Sequence, residues 1–340
     1  MSDKKVFPWG DNKPTRNQRI VVALVIALIA ASMNYFVPSG PRSASDFTPL
    51  WHGAKALLAG ADPYLLIGPH RTIDLPSAVN YPAPALLLVS PLTVLPEVLA
   101  GTVFIFISSG LLAFGATRSG WQLLPIFPSI VFMTAARIGQ WSIIMTAAVF
   151  IPLVAFVAAA KPTASLPAVG SSSERKTYIA AATGLVVLTL ISLAILPSWP
   201  AHWMSVVQGS DYFTPPILSL RGAAIALVLL RWRREEAWLV FIAACMPQTW
   251  YPYNGLILFA VAETYTEASF LSLLSSAAWL VCYQYFVGEF RAPDTRFAMQ
   301  SFLIAFGYLP AVILVLQRPN AGRGPVWLEW GLRRFSRATQ

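Results

Sequence analysis

The sequence predicts an all-α, polytopic membrane protein, and three observations support this fold class. Of the 340 residues, 56% are hydrophobic and only 11% are charged, and the mean hydropathy is +0.60. Soluble domains carry roughly 25% charged residues and about 45–50% apolar ones. The apolar residues also fall into long runs, and the basic residues lie between these runs. This pattern excludes a soluble enzyme, a disordered chain and a nucleic-acid-binding protein.

The first predicted helix is the apolar run 20–36, which follows a polar N-terminal tail, residues 1–19. The polar flank is long and the apolar run is uninterrupted, so we interpret the segment as a membrane anchor rather than a cleaved signal peptide. Nine further apolar runs follow it, some of them shorter than the about 20 residues that span a bilayer. They are 98–116, 122–136, 141–160, 178–196, 218–231, 237–249, 253–262, 269–287 and 298–316. The sequence therefore predicts about ten transmembrane helices in a single domain, residues 20–316.

The apolar segment 84–95 is too short to cross the membrane, because 12 residues in a helix cover only about 18 Å. If this segment lies flat on the outer surface, 17 of the 24 basic residues face the cytoplasm, and if it crosses, only 9 do. The positive-inside rule favours the first arrangement, which has a long outer loop, residues 37–97. That arrangement places Lys161, the linker 164–175 and a basic C-terminal tail, residues 317–340, in the cytoplasm.

Within the outer loop, residues 46–59 have the periodicity of an amphipathic helix, whose apolar stripe excludes Asp46, His52 and Lys55. A helix of this kind lies in the plane of the membrane interface. The segment 84–95 would form a second interfacial helix. The pair would make a shelf over the bundle, with Asp46 at its edge.

Asp46 is the candidate catalytic residue. Two compatible roles fit it: the N-cap of the helix that follows, and a general base held above the membrane by that helix. Arg137, between two predicted spans, is either an interfacial arginine or a phosphate clamp, since its guanidinium offers a fixed fork of donors. Five other residues of the outer face could serve the same purpose: His52, Lys55, His70, Arg71 and His202. The turn residue Asp62 is expected to be structural.

No sequence motif calls for a cofactor or a metal. The chain has no phosphate-binding glycine-rich loop, no HExxH and no Ser-His-Asp arrangement, which argues against an ATP-driven pump and a zinc protease. Its two cysteines, Cys245 and Cys282, lie in apolar runs and provide neither a disulfide framework nor a zinc site. Charged residues inside the spans are scarce, which argues against an ion-coupled transporter.

Several short motifs resemble one glycosyltransferase family. The outer loop contains Ser-Asp-Phe at 45–47, Ala-Leu-Leu-Ala-Gly-Ala-Asp-Pro-Tyr at 56–64 and Asn-Tyr-Pro-Ala-Pro at 80–84. Gly-Gln at 139–140 opens a span, and Pro-Gln-Thr-Trp occupies 247–250. In this order the motifs resemble those of the family 87 glycosyltransferases. These are polyprenol-phosphate-mannose-dependent mannosyltransferases of the GT-C superfamily.

The resemblance implies a GT-C-like fold in the plasma membrane, with both termini cytoplasmic and an active site on the outer face. It implies that Asp46 is the general base and that an acceptor hydroxyl attacks the anomeric carbon with inversion. The donor would be a polyprenyl-phosphate sugar and the acceptor a glycolipid or a glycan. Six residues would then contact the phosphate or sugar of the donor: Arg137, Gln140, Lys55, His52, Gln248 and Tyr81. Neither a cofactor nor a metal is expected.

Two other functions stay open at this stage. Gln248 stands in a turn where the relatives often carry a histidine, so the chain could instead be a non-catalytic, GT-C-like subunit with a membrane protein partner. A lipid or small-solute transporter could use the same outer cavity. The expected partners in every case include the lipid bilayer and exclude nucleic acid.

Overall fold

The computed structural model describes residues 13–36, 45–209, 214–247, 252–286 and 299–338. In these residues the chain is mostly helical, as the sequence predicts. A two-residue parallel strand pair, β1 (Ile67–Gly68) and β2 (Ile73–Asp74), joins Ile67 to Ile73 within the first loop.

The helices follow the chain in three groups. The first group is α1 (Arg16–Phe36), α2 (Thr48–Leu58), α3 (Pro63–Leu66), α4 (Ala83–Val89) and α5 (Glu97–Ala116). The second is α6 (Ile130–Ile138), α7 (Ser142–Phe150), α8 (Pro162–Ser171), α9 (Arg175–Ile195) and α10 (Trp199–Gln208). The third is α11 (Glu235–Cys245), α12 (Tyr265–Phe286), α13 (Met299–Leu316) and α14 (Val326–Ala338). Segments of 3₁₀ helix lie between them at Ser90–Val94, Leu124–Ile126, Pro152–Ala160, Pro216–Leu218, Ala223–Arg231 and Pro252–Val261. A π-helical turn, Ile304–Tyr308, lies inside α13.

Four helices in the described part of the chain are long and apolar enough to cross a membrane: α1, α5, α9 and α13. Large apolar side chains on α1 and α9, such as Leu28 and Leu190, are more than half exposed and suit contact with lipid acyl chains. These helices indicate a membrane-embedded, all-α protein. Another predicted span, 269–287, lies largely in the 22-residue α12, and the remaining ones fold as shorter helical segments. The total of ten spans stays a prediction.

One end of the bundle carries the first loop, and we call it the loop end. The side-chain amide of Asn34 in α1 donates to the carbonyl of Ala136 in α6 (3.0 Å). Thr48 Oγ1, at the start of α2, donates to Glu97 Oε1, at the start of α5 (2.5 Å). The end of α1, the start of α5 and the end of α6 therefore meet there.

The opposite end of the bundle is rich in arginine, and we call it the basic end. Arg118, just beyond α5, forms an ion pair with Glu174, just before α9 (3.8 Å). Arg318, after α13, pairs with Glu267 at the start of α12 (2.7 Å). The 20 residues of α5, which span about 30 Å, separate the two ends.

The predicted span 141–160 is a helical hairpin rather than one helix. α7 descends from the loop end and stops before Pro152, and the 3₁₀ helix Pro152–Ala160 returns. A Cβ on Gly115, near the basic end of α5, would lie 2.8 Å from Cβ of Phe150, so the tip of the hairpin lies toward the basic end. Nine residues of 3₁₀ helix rise about 18 Å, which suffices for the return.

This hairpin corrects the placement of Lys161. The sequence predicts Lys161 and the linker 164–175 on the side opposite Asp46, whereas Lys161 lies at the loop end and most of the linker forms α8. The run 141–160 is long enough for one span. Pro152 divides it, because proline lacks an N–H and ends helices. Three passes (α7, the 3₁₀ helix Pro152–Ala160 and α8) replace the one predicted pass. Because both numbers are odd, the segments after α8 begin at the predicted end of the bundle, and Arg175 remains at the end opposite Asp46.

Candidate functional site

Asp46 is held at the junction between the first loop and α6. Its backbone N–H donates to the carbonyl of Ile138 (3.0 Å), and Ser45 Oγ donates to the same carbonyl (3.0 Å). Ser45 Oγ also accepts from the N–H of Phe47 (3.2 Å). The Asp46 carboxylate accepts no hydrogen bond from the described residues, and no side-chain cap bond begins α2. Ser45 therefore organises the turn, and the N-cap role predicted for Asp46 is not found.

Gly139 permits this junction. It ends α6 with φ +74°, and a Cβ there would lie 2.7 Å from Cβ of Phe47. Any other residue would be strained by the positive φ and would push the loop away. The Gly-Gln pair noted in the sequence thus lets the backbone that carries Asp46 pack directly on the α6–α7 turn.

Asp46 lines a cavity of about 810 Å³ at the loop end. This volume lies in the range of about 300–1,000 Å³ that is typical of small-molecule sites. The first loop, the α6–α7 turn, the start of α8, α10 and the 3₁₀ helix Pro252–Val261 form its walls. The polar side chains that line it include Asp46, Arg71, Asn80, Tyr81, Gln140, Ser142, Thr146, Lys161, Trp203, Ser205, Tyr253 and Asn254.

Lys161 is a cation of the cavity whose charge acts on Asp46. It connects the 3₁₀ helix Pro152–Ala160 to α8, and its Nζ donates to Oε1 of Gln140 (3.1 Å). The ammonium also lies 5.6 Å from the ring centroid of Tyr81 and 5.8 Å from that of Tyr253. These contacts fix the charge by a hydrogen bond and by attraction to two aromatic faces.

The charges of Asp46 and Lys161 influence each other across the cavity without direct contact. Burial raises the pKa of Asp46 to about 6, and the charge of Lys161 partly opposes that shift. Burial likewise lowers the pKa of Lys161, and Asp46 opposes it. No ion pair joins the two residues in the described structure. The cavity therefore offers a carboxylate and an ammonium that a bound molecule can contact separately.

The α6–α7 turn adds neutral hydrogen-bond donors beside Lys161. Gln140 is 1% exposed, and its amide N–H groups have no partner among the described residues. Ser142, at the start of α7, is 6% exposed, and its hydroxyl is likewise unpaired in the described part of the chain. The N-terminus of a helix carries partial positive charge. Lys161, Gln140, Ser142 and the start of α7 therefore form a corner suited to an anion.

The structure brings only some of the predicted donor-binding residues to this cavity. Tyr81 and Gln140 line it together with Asp46. His52 Nε2 instead lies 3.3 Å from Glu97 Oε2, and Lys55 Nζ lies 4.5 Å from the ring centroid of Trp51. Neither residue lines the cavity.

Of the two remaining predicted donor contacts, only Arg137 belongs to the described residues. Arg137, in the last turn of α6, does not line the cavity, and its carbonyl accepts from the side-chain amide of Asn34 (3.1 Å). Gln248 lies outside the described residues. The turn role of Asp62 is confirmed, because its carboxylate accepts from the N–H of Tyr64 (2.9 Å).

Sequence reasoning missed Lys161 and Ser142. A signal for Lys161 was present: it is a single cation between apolar residues, with Pro162 directly after it and Pro152 nine positions before. Proline at both places predicts a break in the run and a turn at the lysine. No comparable signal marks Ser142.

The described residues contain no group of three or more His, Cys, Asp and Glu side chains that could hold a metal ion. A scan against protein-family models finds no match for this chain, and searches of curated proteins and of solved structures find none. The geometry of the cavity is therefore the basis for assigning a function.

Proposed function

We propose that this protein is a membrane glycosyltransferase that moves a sugar from a polyprenyl-phosphate donor to the hydroxyl of a lipid or glycan acceptor. One observation carries the proposal: an unpaired carboxylate and an anion-binding corner share one cavity at one end of a membrane-embedded bundle. A substrate with a phosphate, a sugar and an apolar tail matches this combination. The resemblance of the loop motifs to family 87 favours mannose as the sugar.

In the proposed reaction, Asp46 accepts the proton of the acceptor hydroxyl. The acceptor oxygen forms a bond to the anomeric carbon from the face opposite the phosphate. The bond between that carbon and the phosphate oxygen breaks, and its electron pair leaves with the polyprenyl phosphate, so the anomeric configuration inverts. With a pKa of about 6, the carboxylate is ionised at neutral pH and is a stronger base than an ordinary aspartate. Catalysis of this kind contributes about 10²–10⁴-fold.

The departing phosphate gains negative charge and needs positive groups rather than a proton. Lys161 supplies a full charge, and Gln140, Ser142 and the start of α7 supply hydrogen-bond donors. Because the protein holds these groups in place before the reaction, they stabilise the developing charge without reorganisation. Ile257 and Met299 line the same cavity from membrane-embedded segments, and this apolar wall suits the first part of a lipid tail.

The test is a transfer assay on purified protein in liposomes. The donors are polyprenyl-phosphate mannose and polyprenyl-phosphate arabinose, with a lipid extract of the source cells as acceptor. We expect a labelled glycolipid from the wild type and a loss of at least about 10²-fold in Asp46→Asn and in Lys161→Met. Asp74→Asn and Lys55→Met are matched controls, because they remove the same charges from the same end of the protein outside the cavity.

Three outcomes would overturn the proposal. Transfer at a near-normal rate in Asp46→Asn would exclude this residue as the base. Equal losses in the cavity variants and in the controls would indicate a general effect of charge. No product from either donor, with protein that elutes as a single folded species, would favour the non-catalytic subunit.

A further inference from the structure

The C-terminal helix α14 is docked against the basic end of the bundle. The N–H of Val326 donates to the carbonyl of Ser172 (3.2 Å), and Nε1 of Trp327 donates to the carbonyl of Gly170 (2.8 Å). The Trp327 ring also meets the ring of Trp238 edge-on, with centroids 4.9 Å apart. The first turn of α14 is therefore fixed to the ends of α8 and α11.

Beyond this attachment, α14 presents aromatic and basic side chains to its surroundings. Trp327 remains 44% exposed and Trp330 is 61% exposed. The Arg334 guanidinium lies over the Trp330 ring, 5.2 Å from its centroid, and is itself exposed. Exposed indoles next to arginines are typical of helices that lie at a membrane–water interface.

The surface around α14 is positively charged. The exposed cations of this end in the described residues are Lys13, Arg16, Arg118, Arg175, Lys176, Arg233, Arg323 and Arg334. α14 itself carries one acidic residue, Glu329. Of the other acidic groups nearby, Glu174 pairs with Arg118, and Glu263 pairs with Arg318 (3.2 Å). The carboxylate of Glu235 accepts from the N–H of Ser173 (3.2 Å). Excess positive charge therefore remains at the level where the lipid headgroups of one leaflet lie.

We propose that α14 is a binding surface for anionic phospholipid headgroups and lies in the plane of the membrane at the basic end. The indoles of Trp327 and Trp330 occupy the interface, and Arg334, with the other cations of this end, contacts lipid phosphates. The apolar and aromatic content of the helix suits lipid rather than a soluble acidic partner. Each basic group near an anionic surface contributes about 1 kcal/mol, which is roughly a five-fold change in lipid affinity. The inference does not depend on the proposed glycosyl transfer.

The experiment places a fluorescent label on α14. Gly331 suits the label, because a Cβ at this position would have nothing within 4 Å. An environment-sensitive dye is attached to Gly331→Cys in full-length protein whose native cysteines are replaced by serine. The protein is reconstituted in phosphatidylcholine vesicles containing increasing fractions of phosphatidylglycerol. The same dye on Ser119→Cys, in an exposed turn at the same end, is the control.

We expect the Gly331 label to shift to shorter wavelength as phosphatidylglycerol increases and to be quenched by lipids with brominated acyl chains. High salt should weaken the shift, since it screens the charges. Arg334→Gln should raise the phosphatidylglycerol fraction at half-maximal shift by roughly five-fold. The Ser119 label should change little.

Three results would contradict the proposal. The first is the same emission from the Gly331 label at every lipid composition. The second is a shift that salt and Arg334→Gln leave unchanged, which would indicate apolar insertion without headgroup recognition. The third is a label already shielded in detergent and never quenched by brominated lipid, which would show that α14 packs on protein. None of these readouts involves sugar transfer, so they separate this proposal from the proposed function.

Discussion

At the residue scale, the ionised carboxylate of Asp46 destabilises the folded protein. It is half-buried, and its pKa rises from 3.8 to about 6 because burial disfavours the charged form. A carboxylate that capped α2 would behave in the opposite way, since hydrogen bonds from backbone N–H groups lower a pKa. The direction of the shift therefore agrees with the absence of a capping bond from Asp46 to α2.

We predict that Asp46→Asn stabilises the protein while it lowers the transfer rate by at least about 10²-fold. The folded state binds the proton more tightly than the unfolded state, so this residue lowers the free energy of unfolding as pH rises from about 4 to about 6. Two pKa units correspond to at most about 3 kcal/mol above that range. The thermal midpoint of the variant should exceed that of the wild type at pH 8 and equal it near pH 4. A lower midpoint at pH 8 would show that the ionised carboxylate stabilises the folded protein and would contradict this prediction.

The same pKa predicts the pH dependence of the reaction. The base works only when it is deprotonated, so kcat/KM should rise with pH and level off above about pH 6. Lys161 lowers the pKa of Asp46, so the residual activity of Lys161→Met should reach its plateau at a higher pH than that of the wild type. An unchanged midpoint in that variant would show that the two charges are not coupled.

Only part of the candidate site could be predicted at this scale. Asp46, Tyr81 and Gln140 carry local motifs, and the cavity contains all three. His52 and Lys55 belong to the adjoining helix α2 but do not line the cavity. Lys161 is far from Asp46 in sequence and reaches it through a hairpin that hydrophobic length alone hides.

At the element scale, the 3₁₀ helix Pro152–Ala160 positions Lys161, and α9 supports that helix from outside. The contact is a direct backbone approach at Gly184, where a Cβ would lie 1.8 Å from the carbonyl oxygen of Phe156. No side chain can give way there, because the neighbouring atom belongs to the backbone. The glycine therefore sets the distance between α9 and the segment that ends at Lys161.

We predict that Gly184→Ala lowers both the thermal midpoint and the transfer rate. Alanine in place of glycine inside a helix usually gains about 0.5–1 kcal/mol, but a forced overlap in packed structure costs about 1–3 kcal/mol. Gly110→Ala in α5 is the matched control, since its Cβ would meet Ala27 at an ordinary 3.5 Å. That variant should be as stable as the wild type or more so. Similar behaviour of the two variants would show that α9 does not set the position of Lys161.

At the scale of the whole molecule, charge counting predicted the ends of the bundle at which the basic residues lie, whereas the length of apolar runs did not predict every helix. The excess of basic residues correctly assigned Arg175 and Arg318 to the end opposite Asp46, because that assignment depends only on whether the number of intervening passes is odd or even. Run length failed at 141–160, where a largely apolar run of 20 residues folds as two short helices. Short helices and 3₁₀ segments are compatible with a membrane only where protein surrounds them or a cavity adjoins them. The short helices and 3₁₀ segments therefore indicate where the bundle surrounds a cavity.

The hairpin can be tested by labelling cysteines in oriented membrane vesicles with a small, membrane-impermeant thiol reagent. Thr163→Cys, beside Lys161 in the cavity, should react from the same side as Ser77→Cys in the first loop. Arg175→Cys, exposed at the basic end, should react only from the other side. Permeabilised vesicles provide the reference for full reactivity of each cysteine. If Thr163→Cys instead reacts together with Arg175→Cys, residues 141–160 cross the membrane once. Lys161 would then lie about 30 Å from Asp46, at the far side of the bilayer, and the two residues could not act on one substrate.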